Sequence, residues 1–125
     1  MLRAFFIVGM AGAAGSMARY AVQLCLRKSF DSFPAATLVV NMTGCLLMGI
    51  LLGLASTKGR LSPEVLLALA TGFCGGFTTF SGFAADNLQL MERGLSMTAI
   101  SYSVLSVFLG LVLCKAGHWI VTAAA

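Results

Sequence analysis

Four long apolar stretches separated by short polar runs divide the chain, at 4–26, 35–55, 63–91 and 95–116. A helix that crosses a bilayer needs about 20 mostly apolar residues, so each stretch is long enough to span. The pattern predicts an all-α membrane protein of four transmembrane helices in a single domain, 1–125. Arg27, Lys28, Asp31 and Pro34 mark the first turn, with Pro34 placed to open the second helix. Ser56, Thr57, Lys58, Gly59 and Arg60 close the second span. Ser62, Pro63 and Glu64 then supply an N-cap, a first-turn proline and a first-turn acid for the third. That third helix is interrupted by Gly72, Gly75, Gly76 and Gly82, and a break is expected near 72–79. Asp86, Asn87, Glu92, Arg93 and Gly94 lead into the last span, with His118 and Trp119 as interfacial residues. The opening run, Arg3 followed by Ala4 to Ala14, imitates a secretory signal, but its apolar character continues to Leu26 and makes a full span.

Composition narrows the function classes. Of 125 residues 59% are hydrophobic and 10% charged, and the mean hydropathy is +0.97. Such a chain cannot cover itself with a water-compatible surface. Four spans leave no room for a separate nucleotide-binding or catalytic domain, so neither an enzyme nor a self-powered pump is expected. The net charge of +4 is scattered between apolar stretches rather than clustered, which argues against a nucleic-acid partner. Cys25, Cys45, Cys74 and Cys114 fall in or at the edge of different apolar stretches with no Cys-x-x-Cys pair, and each reads as a small buried hydrophobe.

An even number of spans puts both ends of the chain on one side. Arg3, Lys58, Arg60 and Lys115 then face one side, and Arg27, Lys28 and Arg93 the other. So slight a bias gives the positive-inside rule little to act on. Insertion in both orientations, with pairing as an antiparallel homodimer, is one reading; an orientation set by something other than this count is the other. Gly49 with Gly53, Gly72 with Gly76, and Gly12 with Ser16 are small-x-x-x-small pairs that let backbones approach closely, within one chain or between two.

Polar groups at membrane depth are costly and face an interior or a wet cavity. Thr37, Asn41, Gly44 and Met48 share one helical face. The Asn41 amide can donate hydrogen bonds to an anion without trapping it by charge, or can join helices together. Phe80 and Phe83 share a face beside Thr78, Thr79 and Ser81, and their ring edges are electropositive; packing against lipid or core is the alternative. Tyr102, Ser106 and Gly110 recur every four residues, as a hydroxyl track or as hydroxyls bonded to their own helix. Arg19 is the deepest full charge and either snorkels to an interface, pairs with a helix end, or attracts anions at a vestibule. No Asp or Glu falls at the centre of any span, which argues against a proton-coupled exporter of cations.

Three segments carry a resemblance. Gly12-Ala-Ala-Gly-Ser-Met-Ala-Arg-Tyr20, Thr37-Leu-Val-Val-Asn-Met-Thr-Gly44 and Gly72-Phe-Cys-Gly-Gly-Phe-Thr-Thr-Phe-Ser-Gly-Phe83 resemble, in order and over nearly the whole chain, the Fluc (CrcB-like) fluoride channels of bacteria. The resemblance implies a passive fluoride-selective channel in the inner (cytoplasmic) membrane, exporting fluoride to relieve its toxicity. It also implies two antiparallel copies forming two pores, with a structural sodium ion on the dimer axis. By that likeness Asn41, Phe80 and Phe83 line each pore, and Tyr102 and Ser106 continue it. Ser81 and Thr79 lie beside it, and Arg19 stands near an entrance. The sodium ion is held by backbone carbonyls of Gly75 and Thr78 from both copies. Gly82 departs from the threonine expected there, and Gly110 from a hydroxyl residue. The rival functions are a small four-helix multidrug transporter and a non-transporting membrane subunit.

Overall fold

A computed structural model describes residues 1–26, 33–57 and 61–124. The charges expected at Arg27, Lys28, Asp31, Lys58 and Arg60 lie outside them. Among the described residues every regular element is helical: α1 (Leu2–Leu26), α2 (Ala35–Ser56), α3 (Pro63–Leu66), a π-helix (Leu67–Cys74), α4 (Gly75–Phe77), α5 (Phe80–Glu92) and α6 (Ser96–Ala123). Four helical runs are long and apolar enough to cross a membrane, Leu2–Leu26, Ala35–Ser56, Pro63–Glu92 and Ser96–Ala123. The chain is therefore a multi-pass membrane protein with a bent third span. The last span runs seven residues past the expected 116, because nothing in Gly117-His-Trp-Ile-Val-Thr122 stops a helix.

The turns follow the local chemistry. The Ser62 hydroxyl accepts from the Val65 amide at 3.3 Å, and Pro63 occupies the first helical position, where its missing N–H costs nothing. Pro34 sits at the N-cap of α2 rather than inside it. Gly94 adopts φ 76°, which a side chain resists. Its amide bonds the Met91 carbonyl at 3.0 Å while the Leu95 amide reaches Leu90 at 2.9 Å, closing α5 with a Schellman motif before α6 begins.

Glycine pairs make the two tightest seams. A Cβ at Gly49 would strike the Cys114 backbone, and one at Gly53 would lie 2.9 Å from Val121, so α2 lies against α6 almost backbone to backbone. A Cβ at Gly15 would strike the Phe73 carbonyl and one at Gly76 the Gly12 carbonyl, which fixes α1 against the π-helix and α4. All three small-residue pairs are thus spent inside the chain. Arg3 and Glu64, 2.9 Å apart, tie the starts of the first and third spans at one membrane face.

The break falls at the far end of the expected 72–79 segment, and its cause differs from the expected unwinding at glycine. Gly72, Gly75 and Gly76 stay helical, and the backbone leaves the helix only at Thr78 (φ −76°, ψ 159°) and Thr79 (φ −149°, ψ 113°). Gly72 and Gly76 act by close approach, not by unwinding. The cysteines also differ: Cys74 is buried, Cys45 and Cys114 are half-buried, and Cys25 is exposed.

Candidate functional site

Extended backbone at membrane depth must find partners for its peptide groups, since each one left bare in hydrocarbon costs several kcal/mol. Here α2 supplies them. Asn41 Oδ1 accepts from the Thr79 amide at 2.8 Å, and Asn41 Nδ2 donates to the Thr79 carbonyl at 3.1 Å. One carboxamide therefore closes both ends of a single peptide residue across two spans. One N–H of the Asn41 amide is spent in this way, leaving a second for another acceptor. The Thr79 hydroxyl caps α5 by accepting from the Gly82 amide at 2.9 Å and lies 3.2 Å from Ser81 Oγ. A Cβ at Gly82 would come within 2.8 Å of the Thr79 methyl, so glycine at this departure from the expected threonine leaves the cap undisturbed.

Two carbonyls are released by the same rearrangement. In an unbroken helix the Thr79 amide would bond Gly75 and the Gly82 amide would bond Thr78. Both amides are diverted, to Asn41 and to Thr79 Oγ1. Gly75 lies on an open face, and a Cβ there would meet nothing within 4 Å. The Gly76 carbonyl, by contrast, is taken by Arg19 Nε at 3.2 Å and Ser16 Oγ at 3.3 Å. Arg19 therefore stands beside the break, bonded to its helix end, in place of snorkelling to an interface.

A groove of about 440 Å³ runs along this region. Asn41, Gly75, Thr78, Thr79, Phe80, Phe83 and Ser106 all border it. Phe80 is 82% exposed and tilts against Phe83 with ring centroids 5.8 Å apart. Among the described residues Ser106 Oγ is buried without a hydrogen-bond partner, next to Tyr102. A hydroxyl buried there needs a partner, and the Tyr102 hydroxyl is at hand to serve as one. The structure thus brings seven of the ten expected site residues to one wall. Ser81, Tyr102 and Arg19 are not part of it.

A second cavity of about 650 Å³ opens at the other end of α5, bordered by Tyr20, Gln23, Thr37, Asp86, Gln89 and Arg93. The two are linked through aromatic packing. Tyr102, 1% exposed, packs tilted against Phe83 with ring centroids 5.2 Å apart and donates to Asp86 Oδ2 at 3.4 Å. The α2 face foreseen from periodicity runs between them, with Thr37 at the vestibule and Asn41, Gly44 and Met48 at the groove. Sequence reading missed Asp86 and Asn87 as partners of α6. Asn87 Oδ1 accepts from Ser103 Oγ at 2.8 Å, and the 16-residue separation shared with Asp86–Tyr102 could have revealed both contacts.

Comparison with known proteins agrees with this architecture. A family model described as "CrcB-like protein, Camphor Resistance (CrcB)" matches residues 6–118. A protein of Methylobacillus flagellatus named "Fluoride-specific ion channel FluC" is 46% identical over 117 residues, 92% of this chain and 91% of its own length. Proteins bearing that name in Listeria innocua (as FluC 2) and Azobacteroides pseudotrichonymphae are 43% and 40% identical, covering 91% and 94% of this chain and 87% and 95% of their own. Those relatives are named as channels, not enzymes. With its four spans, its bent third helix and a family match over most of its length, the chain belongs to the CrcB-like family.

Proposed function

We propose that the protein is a fluoride-selective channel that lets the ion leave the cell down its gradient across the inner membrane and so relieves fluoride toxicity. The named relatives support the ion. The observation that carries the site is the meeting of Asn41, Phe80, Phe83 and Ser106 along one groove. Neutral donors and ring edges stabilise a small dehydrated anion without the deep trap a lysine or arginine would make. Asn41, Phe80, Phe83 and Ser106 form the path, Thr79 and Ser81 flank it, Tyr102 continues it toward the vestibule, and Arg19 adds positive charge near the break.

The single chain leaves this path open along one side, where Phe80 and Gly75 are exposed. A second copy in the opposite orientation covers that side. The carbonyls of Gly75 and Thr78 fit a hard cation by their chemistry, since both are oxygen donors released by the break. A sodium ion held there by both copies would supply charge that keeps two breaks together. The even division of basic residues between the two sides supports dual insertion.

Purified protein in liposomes should release fluoride and retain chloride. Absence of fluoride release from protein that is folded in the vesicles sinks the functional reading. A small multidrug transporter would instead show drug-dependent proton flux, and a non-transporting subunit would show no flux and retain a partner in mild detergent.

A further inference from the structure

The groove carries chemistry that an anion path does not use. Four sulfur atoms border it: the thioethers of Met42 and Met48, the thiol of Cys45 on α2 and the thiol of Cys74 on the π-helix. Both cysteines are free. Cys45 is aimed by a gap on α6, since its Sγ lies 3.3 Å from where a Gly110 Cβ would stand, and Met42 Cε closes the same gap at 3.7 Å. Gly44, next to Cys45, touches Thr78, which lies one turn beyond Cys74 and donates its hydroxyl to the Cys74 carbonyl at 2.9 Å. The two thiols border the groove from adjoining walls, Cys45 on α2 and Cys74 on the π-helix.

Among the described residues no three His, Cys, Asp or Glu side chains converge as a metal site. That composition excludes a closed tetrahedral zinc site and a carboxylate cage. Two thiols with thioethers beside them suit instead a soft cation content with two sulfur ligands. We propose that Cys45 and Cys74 bind a thiophilic d10 cation, such as mercury(II), copper(I) or silver(I), and that its occupation stops conduction through the groove. With mercuric chloride, two S–H and two Hg–Cl bonds break, two S–Hg bonds form, two protons and two chloride ions pass to water, and nothing is oxidised or reduced. The bridge joins α2 to the third span beside Asn41. The binding site stands on the sulfur geometry alone, whereas the block rests on the groove being the fluoride path.

The test adds mercuric chloride, a neutral species that crosses lipid, to fluoride-loaded liposomes containing the full chain. Bound mercury is located by mass spectrometry of the intact and digested protein, and efflux is compared before and after addition in the same vesicles. The expected result is a mercury bridging Cys45 and Cys74, with efflux slowed roughly tenfold or more and restored by excess dithiothreitol. Cys45→Ser and Cys74→Ser should each lose the bridge and the block, while Cys25→Ser, on an exposed face, retains both. Cys45→Ala and Cys74→Ala serve if either serine variant fails to fold. A block that persists without Cys45, or mercury bridging Cys45 to Cys114 instead, overturns the site. A bridge at Cys45 and Cys74 with undiminished efflux overturns the block and, with it, the groove as the path.

Discussion

Two faces of the third span, meeting at the adjacent residues Gly75 and Gly76, are built from the same residue type and end differently. On the face toward α1, Gly72 and Gly76 are shut against Ala11 and Gly12, and the Gly76 carbonyl is claimed by Arg19 and Ser16. On the face toward the groove, Gly75 meets nothing, and the carbonyls of Gly75 and Thr78 have lost the amides a helix would give them. The closed face spends every small residue and polar atom inside the chain. The open face keeps donors and acceptors in reserve, as a surface does when its partner is an ion or another molecule. Glycine does not by itself say which outcome follows; the neighbouring helix does.

That contrast can be attacked at its hinge first. Asn41→Leu removes both bonds to Thr79, leaving its amide bare and its carbonyl with only the long 3.5 Å bond from the Phe83 amide; at about 1–3 kcal/mol for each affected group, it should cost the most stability and abolish fluoride efflux. A denaturation midpoint equal to that of the parent would show the bonds to be incidental. Gly15→Leu attacks the closed face, where its Cβ has no room before the Phe73 carbonyl. A loss of about 3 kcal/mol is expected, at the upper end for overpacking, read in the same denaturation experiment.

The open face should respond in function and hardly in stability. Phe80→Ile alters a ring that is 82% exposed in the single chain. It should leave the chain's own folding within about 0.5 kcal/mol, while slowing efflux roughly tenfold through the loss of a ring edge. An unchanged rate removes Phe80 from the path. The smallest effect is expected from Arg3→Ala, since its pair with Glu64 is exposed, with side chains 78% and 56% accessible. A change within about 1 kcal/mol fits such a pair, and a larger one would show that this end of the closed seam is stronger than its exposure implies.

Much of this arrangement was legible in the residues. Apolar length gave four spans, Ser62-Pro63-Glu64 gave the start of the third, and period 3.6 put Thr37, Asn41, Gly44 and Met48 on one face, which the structure runs from vestibule to groove. The segment of the break was legible but its cause was not, because glycine can mean either an unwound backbone or a close approach, and the position of α1 decides between them at Gly72 and Gly76. The wide turn at Leu67–Cys74 left no trace in composition. A π-helix is set by where neighbouring spans require residues to face, and local propensity carries no mark of it. Asp86 was read as remote from the polar path because its partner Tyr102 lies 16 residues on, across a turn that only Gly94 shapes.

The Asn41–Thr79 pairing also has a consequence for the order of synthesis. The chain emerges from its amino end, so the carboxamide is made 38 residues before the peptide it will satisfy. By the time the third span enters the bilayer, α2 is already available as a template, and the kinked segment can dock without passing through a stage of bare amides in hydrocarbon. A circular permutation that delivered the third span first would reverse that sequence, exposing the unpaired segment to lipid while it waited. The position of one asparagine ahead of the kink thus makes vectorial biogenesis part of how this fold avoids its most costly intermediate.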